Sequence, residues 1–391
     1  MVGYAFMGRM HSQAWRTVGK FFDLPANIEL RALAGRSRGA VEAAAQRMEF
    51  ASTETDWQAL IARDDIDIID ICVPGHLHHD IAVAALEAGK HVLCEKPLAT
   101  TVAEALEMTA AAVHARTLGV LSMCGFTYRR TPALSLAKRL VDEGRLGTIR
   151  QVRAQYLQDW LSDEDAPLTW RLDKTKAGSG SLGDIGAHSI DMAEWVSGQR
   201  IIGVSGMLET FVSRRPITGE FSGLGGVGAT GSDAPRGPVT VDDAALFTTR
   251  LDGGAIGVFE ASRFALGHKN AVRLEVNGTL GSIAFDFEDN NTLHYYDATD
   301  AEDVQGYHKI NVTGPVHPYT GNWWPVGHGL GYEHAFIHQA ADFIGAITTN
   351  VQPEPSFGDA LHVQRVMQAI QDSSDHQSTW TNVSANQEQE N

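Results

Sequence analysis

The chain has 391 residues, a formal charge of −17, and 43% apolar against 20% charged residues. That length suits two domains, each with its own core, and the acidity without any basic stripe excludes nucleic acid as a partner. No apolar stretch is long enough to cross a bilayer.

The opening "MVGYAFMGRMHSQAW" lacks a basic region followed by a long apolar run, so a cytoplasmic protein is expected. Within it, Gly3, Ala5 and Gly8 stand at the spacing of a dinucleotide fingerprint, with Phe6 and Met7 at the start of the following helix. Small residues there let the backbone approach a pyrophosphate. Only Met1 and Val2 precede the loop, so the central strand of the expected sheet is missing from the chain or begins upstream of it.

From residue 28 to 124, short apolar runs alternate with helical patterns: "IELRALAG", "IDIIDICVP", "HVLCEKP" and "GVLSMCGF" are separated by helices near 39–48, 78–89 and 101–116. This alternation predicts a doubly wound parallel sheet, a Rossmann domain over residues 1–124. The second strand ends in Gly35, Arg36, Ser37 and Arg38, where an acidic residue would hold the ribose hydroxyls of NAD. Two guanidinium groups and a hydroxyl suit a 2′-phosphate, which favours NADP over NAD. The third strand runs into Pro74 and "HLHH" at 76–79, but neither a carboxylate at zinc-site spacing nor a cysteine pair accompanies those imidazoles, and no metal is expected. Cys72, Cys94 and Cys124 lie in or beside strand-like runs and read as buried thiols.

The fourth strand ends in Glu95, Lys96 and Pro97. Ligands of open parallel sheets bind beyond the carboxyl ends of the strands, so both charges are expected to face a cleft. A lysine at that strand end offers a cation that can stabilise negative charge developing on a ligand.

After residue 125 the texture changes to longer alternating segments joined by Gly-containing turns such as Asp252-Gly253-Gly254, which predicts hairpins in an antiparallel sheet and an α+β second domain over 125–384, followed by a polar tail at 385–391. Residues 214–238 are so rich in Gly, Pro and Ser that a surface loop or lid without packed structure is expected. In "GDIGAHSID", Asp184, His188 and Asp191 share one face of a starting helix, and the ordinary imidazole pKa near neutrality suits His188 to proton transfer. Tyr128 and Arg129, Tyr156, Gln158, Asp159 and Trp160, and Trp170 with Arg171, offer the mixed donors, acceptors and aromatic planes that a sugar asks for. The segment containing His317, Tyr319, Trp323, Trp324 and His334 suits either a wall of that pocket or interdomain packing.

"GYAFMGRMHS", "VPGHLHHDIAVAALEAGKHVLCEKPLA", "GFTYRR" and "GSGSLGDIGAHSID" together resemble the glucose-fructose oxidoreductase, inositol dehydrogenase and MocA family, and the later stretches are most similar to its sugar-dehydrogenase branch. The resemblance implies a Rossmann domain followed by an α+β domain whose large open sheet builds homodimers or homotetramers. It implies that His188 is the main acid/base, that Asp184 orients the hydroxyl or the imidazole, and that His78 lies near the cofactor. The expected activity is NAD(P)-dependent hydride exchange with a secondary hydroxyl of a small neutral sugar, anhydrosugar or cyclitol. The alternatives are an NAD-dependent glycosidase working by transient oxidation and a nucleotide sensor without catalysis.

Overall fold

A computed structural model describes residues 1–217 and 235–383. Most of the expected glycine-rich loop and the polar tail lie outside these. Helix α1 (Phe6–Phe21) follows the fingerprint loop, and β1 (Ala32–Ala34), β2 (Ser52–Glu54), β3 (Ile68–Ile71), β4 (His91–Cys94) and β5 (Ser122–Cys124) are all parallel where they pair. β1, β3, β4 and β5 are nearly all buried, because helices cover a parallel sheet on both faces, while the edge strand β2 is only half-buried.

The central strand position is filled, against expectation, by Met1 and Val2. Ala34 donates to the Met1 carbonyl at 2.9 Å and Gly3 to the Ala34 carbonyl at 3.1 Å, while on the other side Val2 donates to Asp70 and Cys72 to Val2, both at 2.8 Å. Two residues thus join β1 and β3 into one ladder of order β2, β1, Met1-Val2, β3, β4, β5.

The second half is built on a nine-stranded sheet in the spatial order 308–311, 292–297, 281–286, 271–278, 149–157, 256–262, 244–251, 201–209 and 381–382. It is mixed: strand 149–157 runs parallel to 256–262 and every other pair is antiparallel. Along 244–251 burial alternates, with Ala245, Phe247, Thr249 and Leu251 turned to the core and Leu246 and Thr248 turned outward. The helix Ala187–Ser197 covers the inner face, and no helix of the described residues covers the outer one. Flanking the undescribed loop, Arg214–Pro216 and Arg236–Pro238 pair as a short antiparallel ribbon, so the expectation of no structure fails at both ends of 214–238.

The late helix Tyr332–Thr349 returns to the first half and packs on α1, where Phe336, Ile337, Ala340 and Phe343 share a core with Ala14, Trp15 and Val18. The aromatic segment before it serves this junction. Trp323 lies on Phe21 at 4.3 Å between ring centres and donates its indole N–H to His338 Nε2 at 2.8 Å; Tyr319 stacks on His338 at 4.3 Å. Trp324 meets Phe21 at 5.3 Å and Trp323 meets His334 at 4.5 Å, so Tyr319, Trp323, Trp324 and His334 serve interdomain packing, whereas the His317 imidazole bonds the Gly314 carbonyl of its own loop.

His338 is fully buried, with Nδ1 donating to the Arg130 carbonyl at 2.9 Å, and burial pushes its pKa down to about 3. A depressed imidazole stabilises the fold fully above its unfolded value of about 6.5 and loses that contribution as pH falls towards the folded value. The expected result is a melting temperature that drops between pH 7 and pH 5 by less in His338→Gln than in the parent, measured by calorimetry, because glutamine keeps both hydrogen bonds and does not titrate.

Candidate active site

The cleft lies where β4 ends against the turn Leu182–Gly186 and the helix that continues it. Lys96 Nζ donates to the Asp184 carbonyl at 2.5 Å and stands 3.7 Å from Asp184 Oδ1. His188, one turn along, is 8% exposed; its Nδ1 is buried with no partner among the described residues, so Nε2 is the nitrogen open to a ligand. Around the imidazole stand Tyr128 at 4.8 Å, Tyr156 at 5.9 Å and Phe126 at 5.9 Å, all between ring centres.

The electrostatics correct one expectation. Burial, and then the Lys96 ammonium, hold the His188 pKa well below its ordinary value, so the imidazole is neutral at physiological pH rather than half-titrated. A neutral imidazole is ready to accept a proton, and it does so most readily when a substrate oxygen beside Lys96 begins to carry negative charge. Burial alone would raise the pKa of Asp184, but Lys96, Arg171 and Arg263 outweigh it and keep the carboxylate ionised. Asp184 makes no hydrogen bond to His188 among the described residues. Its part here is to hold the lysine, with Arg263 Nη1 at 3.6 Å on its other oxygen.

The predicted sugar-contacting residues separate into two groups. Tyr128, Gln158 and Trp160 belong to one hydrogen-bonded wall: Trp160 donates to Gln158 Oε1, Gln158 and Tyr156 donate to Asn270 Oδ1, and the Tyr128 and Tyr156 hydroxyls meet, each at 2.8 Å. Arg171 stacks on Trp170 at 4.5 Å and turns its charge towards Asp184. Arg129 is a correction. Its guanidinium grips Asp191 through Nε and Nη2 at 2.6 to 3.1 Å, with both side chains buried, so neither reaches the cleft. Removing one partner of such a pair costs roughly 3–5 kcal/mol, which makes this a structural contact. Asp159 pairs with the exposed Lys269 and also lies off the site.

On the cofactor side, Gly3 has φ +97° and a Cβ there would fall 2.5 Å from the Cys72 carbonyl oxygen, while a Cβ on Gly8 would fall 2.4 Å from the Gly3 carbonyl oxygen. Only glycine fits either position. Ala5 begins α1 with no side-chain cap, so the N–H groups of the first turn, over Phe6, Met7 and Gly8, are available to a pyrophosphate. Phe6 stacks at 6.4 Å on Tyr332, which in turn meets Tyr128 and Phe287 and carries the aromatic wall to the cofactor side. The Tyr4 ring lies on Gly35, and Arg36, Ser37 and Arg38 stand exposed beyond β1, Arg38 being 3.8 Å from Glu42.

Two predicted cofactor contacts turn inward. His78 is buried with Nδ1 at 3.0 Å from the Pro97 carbonyl and Nε2 at 2.9 Å from the Val73 carbonyl, so it fastens the Pro74 loop to the segment after Lys96. Glu95, 4% exposed, points at His11 rather than the cleft, and of the two charges ending β4 only Lys96 faces out. His11, Asp70 and Cys72 stand close enough to suggest metal ligands by composition. Both His11 nitrogens are engaged by carboxylates, however, and burial raises the Cys72 thiol to about 12, so it stays protonated.

Residues 1–122 match the family of oxidoreductases with an NAD-binding Rossmann fold, and residues 134–284 match the GFO/IDH/MocA C-terminal domain. The chain belongs to the Gfo/Idh/MocA family. Among members of that family, levoglucosan dehydrogenase of Pseudarthrobacter phenanthrenivorans is 40% identical over 98% of this chain and 97% of its own. Among solved structures, an oxidoreductase domain protein from Kribbella flavida is 57% identical with a TM-score of 0.93, covering 98% of each chain. A levoglucosan dehydrogenase in complex with NADH and levoglucosan is 39% identical with a TM-score of 0.91, again covering 98% of each chain.

Tyr156, Asn270, Phe287, Tyr332 and Arg263 complete the cleft of this family member. Tyr156 was already legible beside Gln158, whereas Asn270, Phe287 and Arg263 sit in strand or turn segments whose patterns carry no chemical signal.

Because burial and Lys96 act together on His188, Lys96→Met is expected to raise the His188 pKa while leaving it below the ordinary imidazole value. Titration of the ring followed by ¹⁵N NMR measures this, with the unchanged fold checked by circular dichroism.

Proposed function

We propose that this chain is a nicotinamide-dependent dehydrogenase oxidising a secondary hydroxyl of a sugar or anhydrosugar, with levoglucosan and pyranoses of similar shape as the substrate class. The observation that carries the reading is the Lys96 ammonium fixed on Asp184, one helical turn from a neutral His188, in a chain whose first helix starts uncapped behind a glycine loop suited to a pyrophosphate. The relative whose structure holds NADH and levoglucosan supports the substrate class.

The Gly3–Gly8 loop and the first turn of α1 would hold the pyrophosphate of a nicotinamide dinucleotide, which when bound would supply the hydride acceptor. The substrate hydroxyl sits between Lys96 Nζ and His188 Nε2. As the C–H bond breaks, its oxygen gains negative charge, Lys96 stabilises that charge, and the proton passes to His188. Asp184 keeps Lys96 aimed through its backbone carbonyl and carboxylate. Gln158, Asn270 and the Tyr128–Tyr156 pair bind the other hydroxyls, and Trp160 and Trp170 offer flat faces to the C–H surface of the ring.

For the cofactor, NADH in the relative's complex supports NAD, and the exposed guanidinium groups of Arg36 and Arg38 with the Ser37 hydroxyl also suit a 2′-phosphate. A panel of anhydrosugars, aldoses and cyclitols assayed with both NAD and NADP is expected to show reduction of both cofactors on an anhydrosugar or pyranose. Lys96→Ala is expected to lose about 10²–10⁴-fold in kcat. Full turnover by that variant, with fold and cofactor binding intact, would remove the reading.

We also infer that the open face of the nine-stranded sheet is covered by a second copy of the chain. Met207, Leu246 and Val258 are 58%, 50% and 45% exposed there, side by side on neighbouring strands. Light scattering is expected to give at least a dimer for the parent and a smaller species for Leu246→Asp with Val258→Asp.

A further inference from the structure

A buried group that the reaction itself does not use lies directly behind the catalytic lysine. His11, on the second turn of α1, is 2% exposed, with Phe336 over its ring at 5.5 Å. Its Nδ1 lies 2.9 and 3.0 Å from the two oxygens of Asp70 at the end of β3, and its Nε2 lies 2.9 Å from Glu95 Oε1 at the end of β4. A carboxylate at each ring nitrogen calls for an N–H on both, which is the imidazolium. Trp15, one turn on, donates to Asp70 Oδ2 at 2.7 Å, sharing that oxygen with His11 Nδ1, while Asp70 Oδ1 and Glu95 Oε1 are left to His11 alone of the two.

The far oxygen of Glu95 accepts the backbone N–H of Lys96 at 3.2 Å, so the carboxylate spans from His11 to the peptide that carries the ammonium. Glu95 has no freedom to relax. A Cβ on Gly125 would stand only 2.8 Å from Glu95 Oε1, so the neighbouring strand end closes tightly on the same group.

We propose that His11 is a positioning residue for Lys96: through Glu95 it ties the helix that begins at the phosphate loop to the peptide bearing the catalytic ammonium, so that the seat of the dinucleotide and the seat of the alkoxide are set by one buried bridge. This rests on the dehydrogenase reading above. Without the imidazolium, Asp70 and Glu95 would be two buried carboxylates with no cation between them, and one must take up a proton or turn away. Either change releases the Lys96 peptide. Displacement of a reacting group by about 1 Å from a remote change costs on the order of 10²-fold in rate.

The test compares His11→Gln, Glu95→Gln, Trp15→Phe and Lys96→Ala by steady-state kinetics, NADH fluorescence titration and melting temperature. The first two are expected to lose about 10- to 100-fold in kcat while KM and the NADH Kd stay within about threefold. Trp15→Phe removes a bond from the same Asp70 and is expected to lower the melting temperature with kcat within about twofold. Should His11→Gln fail to fold, the isosteric Glu95→Gln carries the test alone. The proposal is overturned if the glutamine variants keep kcat within threefold, if their whole effect lies in the NADH Kd, or if Trp15→Phe loses kcat as heavily as they do. Turnover retained by Lys96→Ala would instead overturn the dehydrogenase reading on which the proposal rests.

Discussion

The position of one ammonium group constrains everything around it. Lys96 leaves the end of a buried parallel strand and reaches across to the carbonyl of Asp184 in the other half of the chain. A cation desolvated this far is costly unless it is paired, and the pairing here is to a carbonyl and a carboxylate that Arg171 and Arg263 keep ionised. Burial, and after it the same charge, holds the His188 pKa well below its ordinary value, so the imidazole beside the ammonium is neutral.

The fold explains how two distant segments come to share a cleft. In a doubly wound sheet the carboxyl ends of the strands open on one edge, and β3 and then β4 follow Met1-Val2 in the sheet, so Pro74 and Lys96 emerge on the same side as the phosphate loop by topology. The second half contributes a large sheet whose inner face carries the helix Ala187–Ser197, and the irregular turn before that helix delivers Asp184 and His188 to the same edge. Return of the chain at Tyr332–Thr349 to pack on α1 fixes the two halves with a shared apolar core in addition to the polar contacts of the site. Tyr332, at the start of that helix, is thereby placed between the nucleotide loop and the sugar wall.

The period of the apolar runs was enough to read the parallel sheet, because strands buried on both faces leave little choice of pattern, and Lys96 and His188 were legible because a charge at a strand end and an Asp-x-x-x-His pair are out of keeping with a core. What the sequence did not show was direction. Glu95 and Lys96 are neighbours in the chain with opposite orientations, one inward to His11 and one outward to the cleft, and the period-two alternation that produces this is obscured in a strand apolar throughout. Arg129 was misread for a related reason: a guanidinium that fits a polyol also fits Asp191, which lies 62 residues away in the chain and could be matched to it only in three dimensions. Met1 and Val2 were judged too short to be a strand, yet a central position needs only a few ladder bonds when both neighbours are already fixed by their own helices.

These misreadings share a physical origin, and it bears on how the site is built. Each of Glu95, Arg129, Asp191 and His78 is a polar side chain that looks like a contact for ligand and is instead a buried tie behind one. Their number follows from the chemistry in front. A cleft that must hold an ammonium, a carboxylate and a neutral imidazole at fixed distances cannot be supported by apolar packing alone, because apolar side chains set shape without setting charge or direction. Hydrogen-bonded pairs do both, and in a medium of low dielectric they resist displacement strongly. The second layer of polar residues is therefore the part of the protein that converts an ordinary sheet end into a site with one geometry.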